Sequence, residues 1–256
     1  MEMRICMMEG PVDLQPAGAT WEGLAERIVE LAPDLLVTNE MPFGPWLAAD
    51  PVYDAERAAA SVRLHEAGLA ALAALGVPAI VSSRPVPAGE RLANEAFALQ
   101  DGRYTRLHHK QYFPEEAGFF EATWFHPAFE GFEVFEVGGI RLGVQLCTEL
   151  MFNEHSRRYG RAGAELIVVP RASALSVGRW LTAGAMAALV SGCYVVSSNR
   201  AGRAQTGQVF GGAAFAFQPD GELLARTGDT ESIVTIEVDP SRSRAQQSCY
   251  PCYVRE

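Results

Sequence analysis

Three residues of this sequence have side chains suited to covalent and proton-transfer chemistry. Glu40 ends the apolar run LLVTN, Lys110 lies within LHHKQYFP, and Cys147 follows the apolar run RLGVQL. A thiol has a pKa of about 8.5, so it becomes a good nucleophile at neutral pH only when a neighbouring base removes its proton. Each residue alone also has an ordinary interpretation: a solvated carboxylate, a surface lysine and a small buried hydrophobe.

All three are predicted to lie where a regular element ends, which is where a rigid scaffold presents reactive groups. A buried strand is predicted over Leu35–Asn39, immediately before the glutamate. The lysine lies near the end of a predicted strand over Arg103–Tyr112, and a strand over Ile140–Leu146 leads into the cysteine. The sequence therefore places a carboxylate, an ammonium and a thiol at three strand ends.

Strands and helices alternate along the chain, with hairpins as well as strand–helix–strand units, which indicates an α+β layered fold. The helical stretches that the spacing predicts are 20–31 (with Thr20 as N-cap), 54–75, 153–162 and 179–191. Residues 209–217 are predicted to form one strand. Because no linker-like segment or internal repeat divides the sequence, we expect a single domain over residues 1–256, with an irregular C-terminal tail at 239–256.

An ordered set of motifs resembles the nitrilase superfamily of carbon–nitrogen hydrolases. That family carries a Glu before a Pro–aromatic turn, a Lys before a short Leu/Phe-Pro motif, and a Cys at a strand-to-helix turn. The matching segments here are NEMPFG, HHKQYFPEEAGFFEATWF and GVQLCTELMFNEHSRRYGRAGAELIVVP, followed by Ser198-Asn199-Arg200. The similarity runs from residue 1 to about residue 240, which is nearly the whole chain.

The resemblance implies hydrolysis of a small amide through a thioester on Cys147. Glu40 would take the thiol proton, pass it to the leaving amine and then activate water, while Lys110 would face the anionic intermediate. The backbone N–H of Thr148 would be a second oxyanion donor. A further catalytic glutamate is common in the family after the lysine, and the spacing in FEATWF favours Glu121 over Glu115 and Glu116.

The substrate class depends on charges near the thiol. Carbamoylase and ω-amidase members have an Arg shortly after the Cys that grips a substrate carboxylate, whereas this chain has Glu149, Leu150 and Met151 there. Arg171 could supply the missing cation, or it could be held in an ion pair with Glu149 or Glu121. The paired arrangement is favoured, so neutral or amine-bearing amides are expected ahead of carboxylate-bearing ones.

Aromatic residues could complete the substrate pocket. Phe43 and Trp124, together with Trp46 and Phe120, could form an aromatic wall around it. An aromatic residue near a strand end is nevertheless more often part of the core. Both interpretations of Phe43 and Trp124 stay open at the level of sequence.

Composition excludes several classes of partner. With 21 Lys plus Arg against 31 Asp plus Glu, the net charge is −10, which disfavours nucleic acid because phosphate binding needs a basic surface. Apolar runs such as LAALAALGVPAIV are interrupted by Gly and Pro and are shorter than the ~20 residues of a membrane span. Without a secretory signal, and with five scattered cysteines, the chain is expected to be cytoplasmic.

No metal or cofactor is expected. Cys249-Tyr250-Pro251-Cys252 forms a C-x-x-C motif without the second pair of ligands that zinc requires. His108, His109 and His155 have no partner set at metal-ligand spacing. The family to which the chain is similar needs no metal, although a thiol-redox or metal protein using Cys249 and Cys252 is a rival hypothesis.

The resemblance also implies a four-layer αββα sandwich and a homodimer or larger homo-oligomer that pairs through the helices after the cysteine. Two further rival functions remain at this level. One is a nitrilase acting on a small nitrile, because the same three residues serve that reaction. The other is a catalytically silent binding module, which the presence of all three reactive residues disfavours.

Overall fold

The computed structural model describes residues 2–127, 131–228 and 230–254. Its strands are β1 (Met3–Pro11), β2 (Leu35–Val37), β3 (Ala79–Ala88), β4 (Arg91–Gln100), β5 (Arg103–His109), β6 (Glu115–Glu116), β7 (Phe119–Phe120), β8 (Phe135–Val137), β9 (Ile140–Val144), β10 (Leu166–Val168), β11 (Tyr194–Ser197), β12 (Asn199–Arg203), β13 (Val209–Gly211), β14 (Phe215–Phe217), β15 (Leu223–Arg226) and β16 (Ile233–Val238). Its α-helices are α1 (Ala19–Leu31), α2 (Ala55–Ala73), α3 (Glu121–Trp124), α4 (Asn153–Arg161), α5 (Val177–Ser191) and α6 (Pro240–Gln246).

Most of the strands form two mixed sheets. The first has the order β13-β12-β1-β2-β3-β4-β5, and β16 pairs antiparallel with the first part of β1. The second has the order β15-β14-β11-β10-β9-β8. The parallel neighbours β1, β2 and β3 in one sheet and β9, β10 and β11 in the other are connected by helices, as parallel strands require.

Both faces of each sheet are buried, and successive residues along a strand pack alternately on the other sheet and on the helices. In β1, Ile5 and Met7 belong to the core between the two sheets, whereas Cys6 and Met8 pack with residues of α1 and α2. In β10, Leu166 and Val168 face the same central core, and Ile167 packs with α4 and α5. The four layers are therefore helix, sheet, sheet and helix, and the expected αββα sandwich is confirmed.

Local capping residues explain where some of the helices begin and end. The α2 helix begins where the Asp54 side chain accepts a hydrogen bond from the backbone N–H of Arg57, at 3.0 Å. It ends just before Gly76, which has a φ of 67°. The predicted N-cap of the first helix was two residues off, because Gly18 rather than Thr20 is the N-cap.

The single strand predicted over 209–217 is wrong. The chain forms β13 in the first sheet and β14 in the second, and it crosses between them at Gly212 and Ala213, which have φ values of 57° and 56°. A Cβ on Gly212 would lie 2.7 Å from the Glu9 carboxyl, whose Oε1 accepts the N–H of Ala213 at 2.8 Å. The carboxylate of β1 thus holds the crossing, which strand periodicity does not reveal.

The expectation of an irregular tail at 239–256 is also wrong for its first half. Residues Pro240–Gln246 form α6, which begins where Asp239 accepts from the backbone of Ser241. The helix packs on the chain itself: the Ser243 hydroxyl donates to the carbonyl of Glu165 at 2.7 Å. Farther on, the Cys252 thiol contacts the Leu189 carbonyl at 3.4 Å. Residues 255–256 lie outside the described residues.

Within the described ranges, no helix has the length and apolar character needed to cross a membrane.

A glycine contact between α4 and α5 gives a test of the helical layer. A Cβ on Gly160 would lie 2.0 Å from the backbone oxygen of Ser191, so Gly160→Ala should destabilise the protein by about 1–3 kcal/mol despite the helix propensity of alanine. The matched control is Gly23→Ala in α1, where nothing lies within 4 Å of the new Cβ. That variant should gain about 0.5–1 kcal/mol. Urea unfolding measures both; stabilisation by Gly160→Ala would contradict this packing.

Candidate active site

The structure brings three buried charged residues into direct contact. The Lys110 ammonium donates to Glu40 Oε1 at 2.7 Å and to Glu121 Oε2 at 2.6 Å, and none of these side chains is more than 1% exposed. Glu40 follows β2, Lys110 follows β5, and Glu121 begins α3. Three elements that are far apart in sequence thus meet at one ammonium ion.

Asn94, in the middle of β4, is a residue of this site that the sequence reasoning missed. Its Nδ2 donates to Glu40 Oε1 at 2.8 Å, and its backbone carbonyl accepts the N–H of Lys110 at 2.9 Å. The amide therefore ties the carboxylate to the lysine backbone. The signal in the sequence was the polar pair Asn94-Glu95 inside the otherwise apolar run LANEAFAL.

The second oxygen of Glu40 is free. Glu40 Oε2 is buried and has no hydrogen-bond partner among the described residues. Buried polar atoms in native proteins nearly always have a partner, so an orphaned carboxylate oxygen points to a function. A carboxylate oxygen in this state can accept a proton from a group that approaches it.

Burial and charge set the protonation of the cluster. Burial disfavours the charge on Lys110, but the carboxylates of Glu121 and Glu40 outweigh it and raise the pKa of the ammonium well above its ordinary value. Burial, with a contribution from Glu40, raises the pKa of Glu121 although Lys110 lowers it. Lys110 therefore stays cationic at neutral pH.

Cys147 belongs to the same electrostatic group. Burial and then Glu40 raise the pKa of its thiol, while Lys110 lowers it. The resting sulfur is therefore a neutral thiol at neutral pH, and it requires a base before it can attack. Cys147 begins a 3₁₀ turn over Cys147–Met151 and has a φ of 50°, a left-handed conformation that costs energy for a residue other than glycine.

A cavity of about 220 Å³ opens onto Cys147. Its wall includes Glu121 and Thr148, and its charged outer residues are Glu116 and Arg179, both exposed. Apolar residues form much of the remaining wall: Pro114, Phe119, Met151, Ala172, Ala174 and Trp180. Of the five residues predicted to bind substrate, Thr148 lines this cavity and the other four are engaged elsewhere.

The expected ion pair of Arg171 is wrong. Its guanidinium donates to the hydroxyls of Ser197 at 2.6 Å and Ser173 at 2.9 Å and to the carbonyl of Ala213 at 2.7 Å. The group also lies over the ring of Trp180 at 5.1 Å. Burial lowers the pKa of Arg171 to about 10, so it remains charged. Among the described residues, its hydrogen bonds therefore go to neutral groups, and carboxylates such as Glu40 and Glu9 act on it only through their charge.

The remaining three predicted substrate contacts do not line the cavity. The Glu149 carboxylate is buried and accepts hydrogen bonds from its own chain. Phe43 packs edge-on against Trp21 at 5.4 Å, beneath α1. The Trp124 indole donates to the carbonyl of Asp50 at 2.8 Å. For both aromatic residues the core interpretation was therefore the right one.

In the part of the chain that the structure describes, no group of three or more His, Cys, Asp or Glu side chains is arranged to hold a metal ion. Cys249 and Cys252 are free thiols.

The comparison with known families is decisive for the class of protein. The family model of the carbon–nitrogen hydrolases matches residues 3–247. The chain belongs to this family. For the hydrolase fold, a crystal structure of a carbon–nitrogen hydrolase from Helicobacter pylori G27 superposes with a TM-score of 0.84 at 22% identity, over 98% of this chain and 94% of that one.

Curated relatives match this carbon–nitrogen hydrolase over part of their length. It is 30% identical over 202 residues to the glutamine-dependent NAD(+) synthetase of Xanthomonas campestris pv. campestris (strain 8004), covering 77% of this chain and 35% of that one. It is 29% identical over 151 residues to the N-carbamoylputrescine amidase of Solanum tuberosum, covering 53% and 50%. The matches thus span about a third to a half of the length of these relatives.

Replacing the shared cation tests the buried charges. Lys110→Met leaves two buried carboxylates without their cation, which typically costs about 3–5 kcal/mol. Without Lys110, the pKa of Glu121 rises further above its ordinary 4.5, so the folded state keeps a proton that the unfolded chain releases. Stability of the variant should therefore fall as pH rises from about 5 to about 8, as urea unfolding measures.

The control for this experiment is the double variant Lys110→Met/Glu121→Gln, which removes one of the two carboxylates. It should recover part of the stability and show a weaker dependence on pH. An equal loss in the single variant at both pH values would contradict the assignment of these charges.

Proposed function

We propose that this carbon–nitrogen hydrolase cleaves the C–N bond of a small amide through a thioester on Cys147. The observation that carries the proposal is the free Oε2 of Glu40, held by the Lys110 and Asn94 contacts to its other oxygen. A thiol that opens onto a cavity, with a base and a cation acting on it, is what acyl transfer requires. Membership of the family and the amidase among the relatives support it.

The first half-reaction forms the acyl-enzyme. Glu40 removes the Cys147 proton while the sulfur attacks the amide carbon, and the carbonyl oxygen becomes an anion. The Lys110 ammonium and the backbone N–H of Thr148 stabilise that charge. Glu40 then gives its proton to the leaving nitrogen, the C–N bond breaks, and ammonia or an amine departs.

The second half-reaction releases the acid. Glu40, again a carboxylate, takes a proton from water as the water attacks the thioester carbon. The carbon–sulfur bond breaks, the proton returns to the sulfur, and the product is a carboxylic acid. Glu121 acts throughout on Lys110, because its carboxyl group holds the ammonium in place at 2.6 Å.

The wall of the cavity favours substrates without a carboxylate. Arg171 is enclosed by neutral partners and does not line the cavity. Glu116 and Glu121 line it, against one exposed cation on the wall, Arg179. We therefore keep neutral or amine-bearing amides as the preferred class.

The assembly and the location are further proposals. We infer a homo-oligomer that pairs through α4 and α5, because the exposed apolar side chains of Phe152 and Met186 lie beside and within those helices. A cytoplasmic location stays a prediction from the cysteine content.

Loss of the thiol tests the nucleophile. Cys147→Ala should abolish amide turnover without changing the fold, and Glu40→Gln should lower kcat by at least ~10²-fold because the proton carrier is lost from both half-reactions. Ammonia release measures turnover, and circular dichroism checks folding. Cys249→Ala is the matched control and should keep normal rates, since that thiol is exposed in the tail. Activity retained by Cys147→Ala would refute the mechanism and leave a binding module.

A matched substrate panel tests specificity. It contains amides of equal chain length that end in a methyl group, an ammonium or a carboxylate, together with the corresponding nitrile. We expect kcat/KM to be higher for the neutral and amine-bearing amides than for the carboxylate. A preference for the carboxylate that Arg179→Ala erases would overturn this expectation, and faster turnover of the nitrile would make the protein a nitrilase.

A further inference from the structure

A buried histidine–carboxylate contact joins the segment that carries Lys110 to the segment that carries Cys147. His108 lies two residues before the lysine, and Glu149 lies two residues after the cysteine. His108 Nε2 is 2.9 Å and 3.1 Å from the two carboxylate oxygens of Glu149. Their side chains are 1% and 0% exposed, so solvent does not compete for the contact.

The same carboxylate also binds the backbone on both sides. Glu149 Oε1 accepts the N–H of Gln111, and Oε2 accepts the N–H of Leu146, each at 2.7 Å. Gln111 directly follows the lysine and Leu146 directly precedes the cysteine. One side chain thus fixes the backbone next to both groups.

The contact crosses the boundary between the two sheets. Lys110 follows β5 of the first sheet, and Cys147 follows β9 of the second. Apolar packing between the sheets is non-directional, so it does not by itself set the distance between two polar groups to a fraction of an ångström. Hydrogen bonds at 2.7–2.9 Å do set it.

The protonation of the histidine follows from its partners. Because two backbone N–H groups donate to Glu149, its oxygens act as acceptors, and His108 Nε2 must carry the hydrogen. His108 Nδ1 is buried without a partner among the described residues. The ring packs on Phe132 at 4.8 Å, so the Nε2–H bond is the polar contact that orients it.

We propose that His108 and Glu149 are positioning residues that hold the Lys110 ammonium and the Cys147 sulfur at reacting distance. The proposal rests on the proposed function and adds to it the two side chains that hold the reacting groups in place. Neither residue touches substrate, because both carboxylate oxygens of Glu149 already accept these hydrogen bonds and neither residue lines the cavity. Misplacement of reacting groups by about 1 Å can cost ~10²-fold in rate.

Two variants of His108 separate hydrogen bonding from packing. His108→Gln keeps a donor near the Nε2 position but loses the ring, whereas His108→Phe keeps the ring but loses the donor. We expect His108→Phe to lower kcat by about 10–100-fold with KM changed by less than about twofold, and His108→Gln to stay within a few-fold of wild type. The opposite ranking would show that the ring only packs, and it would overturn the proposal.

Glu149→Gln gives a second test if His108→Phe does not fold, and melting temperatures decide that point. The amide cannot accept from both backbone N–H groups and the histidine, so kcat should fall by about 10–100-fold at nearly constant KM. A rise in KM at constant kcat would make Glu149 a substrate contact instead. Unchanged kinetics would also overturn the proposal.

Alkylation of Cys147 by iodoacetamide reports the position of Lys110 relative to the thiol without substrate turnover. If Lys110 moves away, it lowers the pKa of the thiol less, so alkylation at fixed pH should slow in His108→Phe by about 3–10-fold and remain normal in His108→Gln. Equal rates in both variants would overturn the positioning role. A wild-type protein that hydrolyses no amide, yet shows this alkylation pattern, would refute the proposed function alone.

Discussion

The architecture of this site follows from the burial of the Lys110 ammonium, which is energetically unfavourable on its own. A cation without exposure must have partners within hydrogen-bond distance, because the solvation that it loses is worth several kcal/mol. The two carboxylates that compensate it come from the end of β2 and the start of α3. The scaffold must therefore hold three separate segments in place, and Glu40 keeps one oxygen without a hydrogen-bond partner among the described residues.

A bulge in β5 contributes to this arrangement. Ala96 lies opposite His108 and Phe97 opposite Arg106, so Leu107 is an extra residue in the strand. Leu107 belongs to the core between the sheets, and the next residue, His108, contacts Glu149 on the same side, which regular alternation would not allow. The bulge thus turns the end of the strand so that the histidine reaches Glu149 while the core between the sheets stays filled.

The sequence predicted the layers and the reactive residues because both leave local signals. Apolar alternation marks strands such as Met3–Pro11, and the motif order marks Glu40, Lys110 and Cys147. Contacts between distant side chains leave no such signal. The neutral partners of Arg171 and the crossing at Gly212 depend on which segments meet in space, so the sequence reasoning failed there. Asn94 did leave a signal as a polar residue in the apolar run LANEAFAL, but that signal does not identify Glu40 as its partner.

The pairing of β1 also has a consequence for biosynthesis. Of these strands, β1 is made before its partners, and it pairs with β2 at residues 35–37, yet the partners on its other edge are β12 and β16, which end at residues 203 and 238. While the ribosome adds the intervening residues, an apolar strand edge remains without a partner. Such edges are prone to aggregation. The nascent chain therefore carries an unpaired edge of β1, to which chaperones can bind, until β12 and β16 have been made.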